Sequence, residues 1–519
     1  MNLFRKVMVI TIIGLFCGAG VYPCMSMQIT EHYQIMNTCT PPQMCQIYDD
    51  VFDLERDLID KESNPRFISN SAVSDWHTYQ TVNDMVRSSF FRKIQTEPDY
   101  DAIIESLDEI IHPLNNRPLE LPDDTLEVLR YLGDAKIVGL GEATHGTKEF
   151  FELKHRIFRY LVEHHGFNVF AFECDIGESY YVNKFVTQGI GDIDEIMKNI
   201  MLFWTWRTEE VKELLLWIRD YNIDKSEEDL IHFIGVDCQS LNYQAEIIFS
   251  YFNETNITLS RESIQFLQKI DRIGKDIWSY YLDMTIDEKV AIDQNVDMVL
   301  TEIIALRNEL IDASSEFEYT FIKQLTVNIK QVNDVYYAMT HSDPTNYRDL
   351  YMAENSLWVS ELFGEDTKVA VWAHNAHVAN WESFGSIGFH LKQEIQDAYQ
   401  IIGFSFALGS FTAVRMPLLG LITTLLTPIR IWSEPIKGSV NYIFHHAQYD
   451  NFIVRSSDIQ PPSDFATYIS QSQGFITIGA GFNRVIYLLG GYYLNTELME
   501  EYDVIIHWDE TEAAEQLPR

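Results

Sequence analysis

Basic residues are scarce in this sequence. Lysine and arginine number 38 against 77 aspartates and glutamates, a net charge of −39. So acidic a surface repels phosphate backbones and anionic lipid, which argues against nucleic acid or a charged membrane as partner. Cysteine is also rare, six in all, and no two stand at C-x-x-C spacing. A zinc knuckle or a thioredoxin-type redox pair is therefore not expected. The apolar runs at residues 7–20 and 417–426 both fall short of the ~20 residues that a membrane-spanning helix needs. Several catalytic signatures are missing as well. There is no G-x-S-x-G elbow, no H-E-x-x-H zinc helix and no G-x-x-x-x-G-K-[ST] phosphate loop. Serine α/β-hydrolases, zincins and P-loop enzymes lose their sequence support.

What remains is a globular composition, 46% hydrophobic and 22% charged, in a chain longer than one core usually serves. Two folding units, or one with a large insertion, are expected. Arg5 and Lys6 followed by the apolar residues 7–20 and then small residues have the layout of a secretory signal, with cleavage expected after Gly20 or Ser26. The protein is expected to be exported, periplasmic or secreted, with no stable membrane span once the signal is removed. Cys39 and Cys45 bracket a short Pro-Pro loop and are candidates for a disulfide in an oxidising compartment. The expected organisation is a signal at 1–26, an N-terminal extension and connector at 27–123, a first part of an α/β core at 124–239, a helical insertion at 240–365 and the rest of the core at 366–519.

Short, continuously apolar segments punctuate the core: KIVGLG (136–141), NVFAFE (168–173), IHFIGV (231–236), KVAVWA (368–373), QIIGFSF (400–406) and VIIHW (504–508). Each reads as a strand buried on both faces. Between them lie helical segments at 147–165, stopped by Gly166, and at 208–221, with Thr208 as N-cap. From about 240 to 362 the strand signal disappears, and 287–310 and 316–339 carry helical periodicity. The fold class is α/β, a parallel-sheet core covered by helices with a large all-helical insertion.

Polar residues gather where the strands end. The first strand runs into Glu142 and His145, the second into Glu173 and Asp175, the third into Asp237, and the fourth into His374 and His377. In open parallel sheets ligands bind beyond the carboxyl ends of the strands, so these exits point to one crevice. Lys154 has Phe150, Phe151, Ile157 and Phe158 as helical neighbours, which places its stem on the apolar stripe. It either snorkels to water or pairs with a carboxylate, Glu142 or Glu173. With no nucleophilic serine or cysteine motif, direct attack by an activated water is the simplest chemistry. Imidazole, titrating near neutrality as a residue type, suits the task of taking its proton.

The segments GLGEATHGTKEFFELK, FECD, TWRTEEVKELLLWIRDYN, GVD, YRDLYMAEN and VWAHNAH, in this order, resemble the erythromycin esterases. The resemblance runs from about Asp124 to the C-terminus. It implies metal-independent hydrolysis of a carboxylic ester or macrolactone, with no cofactor and a small-molecule ester or macrolide as partner. At matching positions it implies His145 as general base and places Glu142, Glu173, Lys154, His374 and His377 around the reacting ester. Glu142 or Glu173 is expected to orient the imidazole. His374, with Lys154 as the alternative, is expected to donate to the developing oxyanion. Some characterised members carry arginine where Lys154 stands.

Other readings stay open on the residues alone. Glu142, His145, His374 and His377 are also potential metal ligands, which would make this a metal-dependent hydrolase of the same crevice or a non-enzymatic haem- or metal-binding protein. Trp204, Trp206 and Arg207 either pack or shape the pocket. Arg348 and Asp349 fit a structural ion pair or a catalytic one.

Overall fold

The computed structural model describes residues 98–416 and 425–518. The expected signal, the extension up to residue 97, Cys39, Cys45 and most of 417–426 lie outside the described residues. The strands in chain order are β1 (His112–Pro113), β2 (Ile137–Leu140), β3 (Val169–Asp175), β4 (His232–Asp237), β5 (Val369–Trp372), β6 (Tyr399–Ser405), β7 (Leu408–Arg415), β8 (Leu425–Ile431), β9 (Asn451–Arg455), β10 (Gln473–Ile476), β11 (Gly481–Phe482), β12 (Tyr493–Thr496), β13 (Val504–Trp508) and β14 (Glu510–Thr511). Eight of them form one sheet in the order β1-β9-β13-β6-β2-β5-β3-β4. From β13 to β4 every neighbouring pair is parallel.

The six apolar segments become these six parallel strands because both their faces are covered. On one face Val138, Leu140, Phe170 and Phe172 pack with Phe150, Phe151, Ile157 and Phe158 of the helix Lys148–His165. On the other, Ile137, Val169 and Val371 share a core with the helices between β4 and β5. Those helices, Gln244–Thr255, Arg261–Gly274, Ile286–Ala305, Glu316–Thr340 and Tyr347–Leu362 among them, interrupt the strand pattern. They continue the core of one sheet face rather than forming a core of their own.

The expected sheet was parallel throughout, and one edge departs from that. β9 runs antiparallel between β13 and β1. Its sequence, NFIVR, has only three apolar residues in a row, too few to separate a strand from a loop. β1 comes from the Pro-rich stretch read as a connector. A smaller sheet orders β11-β7-β14, with β8 on β7. It buttresses the loop after β2: the amides of Thr412 and Ala514 both donate to the carbonyl of Gly146, at 2.8 and 2.9 Å. A side chain at 146 would put its Cβ 2.1 Å from the Thr412 carbonyl, so only glycine fits this close approach.

The chain leaves β2 toward one face, into the helix Lys148–His165, and leaves β5 toward the other, where Val378, Ile387 and Leu391 join the opposite core. β2 and β5 are neighbours. Their carboxyl ends therefore diverge and open a crevice between them, the topological switch point of such sheets.

Candidate active site

Glu142 stands two residues past the end of β2 and is fully buried. One of its oxygens lies 2.6 Å from Nδ1 of His145. A carboxylate only accepts, so Nδ1 carries the proton and Nε2 is left with a lone pair. Among the described residues that Nε2 has no hydrogen-bond partner. The other Glu142 oxygen accepts from Nζ of Lys154 at 2.5 Å and from the indole N–H of Trp372 at 2.8 Å. Lys154 does not snorkel. Its side chain is wholly buried, with the ammonium 4.1 Å from the Trp372 ring centroid. Burial lowers that ammonium to about 8, and the adjoining Glu142 keeps it from falling further.

Glu173, near the end of β3, belongs to a second group. It accepts from Nη2 of Arg348 at 2.7 Å and from the backbone amide of His374 at 2.9 Å. Burial alone would raise the Glu173 carboxyl, but the charges of His377 and Arg348 outweigh it and hold it well below the usual carboxylate range. Arg348 also grips Asp237 with a two-pronged contact, Nε to Oδ1 at 2.9 Å and Nη2 to Oδ2 at 2.8 Å. Asp349, beside it in sequence, takes a different partner: Nδ1 of His377 lies 3.0 and 2.8 Å from its two oxygens. Burial opposes the charged form of His377, yet the carboxylates of Asp349 and Glu173 prevail and raise its pKa.

The structure thus brings together the six residues expected at the crevice, five around it and Lys154 beneath Glu142, with different partners than expected for some. His145 and His374 have ring centroids 4.9 Å apart, and His374 and His377 6.3 Å. Glu142, not Glu173, pairs with Lys154 and orients His145. Neither expected oxyanion donor is free for that task. His374 is engaged at both nitrogens, Nδ1 accepting from the Ala376 amide at 3.3 Å and Nε2 3.1 Å from the Ile478 carbonyl. Burial keeps it neutral, its pKa well below the ordinary value. The Lys154 ammonium lies beneath Glu142, out of reach of the crevice. Trp206 packs edge-on to His145 at 6.2 Å between centroids. Asp175 caps the helix Ile176–Gln188, accepting from the Gly177 amide, and is not part of the constellation.

Sequence reasoning missed Trp372 as a partner of Glu142, because an indole inside an apolar strand reads as core. It also missed how Arg348 joins Glu173 to Asp237, since 175 and 111 residues separate the partners. Of the donors considered for a metal, Glu142, His374 and His377 are engaged by neighbouring side chains or backbone, whereas Nε2 of His145 is not. Among the described residues, the set bringing three metal-ligating atoms within 4.8 Å of one another is Asp123, Glu163 and His164, all exposed.

The site is thus a carboxylate-held imidazole at the switch point of an α/β sheet. Residues 162–511 match the erythromycin esterase family, and the chain belongs to that family. It is 28% identical to erythromycin esterase type II of Escherichia coli over 326 residues, 58% of this chain and 75% of that one. A solved protein of Bacillus cereus aligns with a TM-score of 0.71 at 24% identity, covering 81% of this chain and all of the other. A histidine-to-asparagine mutant of an erythromycin esterase, solved in its open conformation, aligns with a TM-score of 0.56 at 17% identity, covering 77% and 97%. The structural likenesses establish the shared fold. The family and the esterase relative of Escherichia coli make this chain a hydrolase of a small molecule. The family match begins inside the helix Lys148–His165, so Glu142, His145 and Lys154 precede it. Among the described residues no helix is long and apolar enough to cross a membrane.

Proposed function

We propose that the protein hydrolyses a carboxylic ester, macrolactones included, by attack of a water that His145 deprotonates. The observation that carries this reading is the 2.6 Å contact of His145 Nδ1 with Glu142, which leaves Nε2 unpartnered at the crevice. Glu142 orients the ring and stabilises the imidazolium that forms, while Lys154 and Trp372 hold Glu142 in place. The macrolactone part of the reading leans on the name of the Escherichia coli relative and on the family. A screen of the purified protein against macrolides and simple aryl esters tests the substrate class.

Positioned general-base catalysis contributes ~10²–10⁴-fold. His145→Asn is therefore expected to lower kcat by at least about 10²-fold with the fold intact. In ¹⁸O-water the label should enter the product acid in a single turnover, without an acyl-enzyme. A trapped acyl-enzyme, or full activity of His145→Asn in a metal-free preparation, would sink the proposal.

A further inference from the structure

Resting on the reading of His145 as the base, we propose that residues 512–517 form a strap that sets His145 against Trp206, and that Glu149 and Glu210 are the positioning residues that clamp it. A water that gives its proton to His145 must be held between that ring and the ester carbon. A displacement of about 1 Å at such a site can cost about 10²-fold in rate. His145 and the ring packed on it come from separate segments. His145 lies on the loop that leads into the helix Lys148–His165, and Trp206 on the turn that leads into the helix Glu209–Asn222. Their ring centroids are 6.2 Å apart, edge-on.

The strap closes on both segments with the same device, used twice. Thr147, just before the first helix, bridges Ala513. The Lys148 amide donates to the Glu512 carbonyl at 2.9 Å, and the Glu149 carboxylate accepts from the Glu512 amide at 2.9 Å. Further along the strap the pattern recurs. Thr208, just before the second helix, bridges Gln516. The Glu209 amide donates to the Glu515 carbonyl at 2.9 Å, and Glu210 accepts from the Glu515 amide at 3.1 Å. Each helix start thus satisfies the amide and the carbonyl of one strap residue, and the strap in turn satisfies an amide that the helix leaves without an internal partner.

From these clamps the strap reaches the site itself. Between them, the Ala514 amide donates at 2.9 Å to the carbonyl of Gly146, the residue after His145. Past the second clamp, the Leu517 amide donates at 3.0 Å to the carbonyl of Arg207, the residue after Trp206. One short run of chain therefore holds the immediate neighbours of both rings. Glu149 and Glu210 are buried. Burial pushes the Glu149 carboxyl up to about 7 and raises that of Glu210. Near neutral pH Glu149 thus serves through an oxygen that accepts at the right reach rather than through a full charge.

Reach and charge are separable by substitution. Glu149→Asp keeps the charge and falls a methylene short of the Glu512 amide, whereas Glu149→Gln gives up the charge and keeps an accepting oxygen in place. On one aryl ester, Glu149→Asp and Glu210→Asp should each lower kcat about tenfold with KM within about twofold. The glutamine variants should recover most of that loss. Because both clamps hold one strap, the double aspartate variant should lose little more than either single one, not the product of the two. Leu517→Pro removes the amide that donates to Arg207 without touching a glutamate, and should lower kcat likewise. Unfolding midpoints above the assay temperature confine the reading to folded protein. Unchanged kcat in the folded aspartate and Leu517→Pro variants, a multiplied loss in the double variant, or glutamine variants no better than the aspartate ones would overturn the assignment and leave the His145 reading standing. Failure of the unaltered protein on aryl esters and macrolides alike would overturn the esterase reading, and this one with it.

Discussion

Two imidazole–carboxylate assemblies sit on the same rim of the sheet, and only one of them is arranged for chemistry. Beyond β2 and β5, His145 is held by Glu142 at one nitrogen and bare at the other. At the ends of β6 and β13, Ser405, His507 and Asp509 line up as a serine–histidine–aspartate series. Ser405 Oγ is 3.1 Å from Nδ1 of His507, whose Nε2 is 3.3 Å from Asp509. The second set has the residue types of a nucleophilic triad and none of its freedom. Ser405 and His507 are fully buried, Asn441 donates to the Ser405 oxygen at 3.2 Å, and His445 competes for Asp509 at 2.7 Å. What separates a reactive site from a structural one here is an unengaged atom at an opening, not the kinds of residue assembled.

The comparison breaks most easily at Lys154. Its ammonium is the one buried cation on Glu142 in the contacts described, so Lys154→Met leaves a carboxylate buried and uncompensated. Losing one partner of such a pair costs on the order of 3–5 kcal/mol. Denaturant unfolding should show a loss of that size, and turnover should fall with it as the hold on His145 loosens. An unchanged unfolding midpoint together with unchanged turnover would place the stabilising charge elsewhere and dissolve the distinction drawn between the two assemblies.

Much of this rim was legible before the structure. Four of the six apolar strands read as carrying polar residues at their exits, because a parallel sheet buries its strands and spends its chemistry at their ends. The apolar neighbours of Lys154 required either snorkelling or a carboxylate, and the structure supplies the carboxylate. Which one was not legible: Glu142 and Glu173 end strands on either side of β5, and the choice is made by Arg348, from a helix 175 residues further along, which takes Glu173. The tautomer of His374 was likewise hidden, since its partner is a backbone carbonyl, Ile478, that no side-chain pattern announces. β9 and the small sheet escaped because three apolar residues between polar ones fit strand and loop equally.

A smaller effect is expected at Asp509. Burial would raise its carboxyl, but hydrogen bonds from His445 and His507 hold it down at about 2. Its folded pKa lies below the unfolded value near 4, so its contribution is present above about pH 4 and is lost as pH falls toward 2. His445 is raised, chiefly by its hydrogen bond to Asp509. Its contribution is complete below the unfolded value near 6.5 and fades as pH rises through the folded one. Asp509→Asn should therefore cost about 2 kcal/mol near neutral pH and close to nothing near pH 2. A pH series of unfolding midpoints for the two proteins checks it, and a cost that stays constant with pH would mean that packing, not charge, holds this corner.

The least disruptive change asks the sharpest question of the comparison. Ser405→Ala removes the only nucleophile in the second assembly while leaving His507 and Asp509 in place. The hydroxyl's hydrogen bonds to His507 and Asn441 are lost, at a cost of about 1 kcal/mol or somewhat more if either partner is stranded. Asn441 still donates to the Phe406 carbonyl at 2.9 Å and accepts from the Ile476 amide at 2.9 Å, which limits the damage. Turnover should not change, because no substrate reaches an oxygen buried under Asn441 and because water, not a serine, is the nucleophile at His145. If instead Ser405→Ala abolished ester hydrolysis with the fold intact, the buried series would be the working triad and the open dyad at His145 the scaffold. That exchange of roles would also require an acyl-enzyme on Ser405, visible as a mass increment on the peptide that carries it.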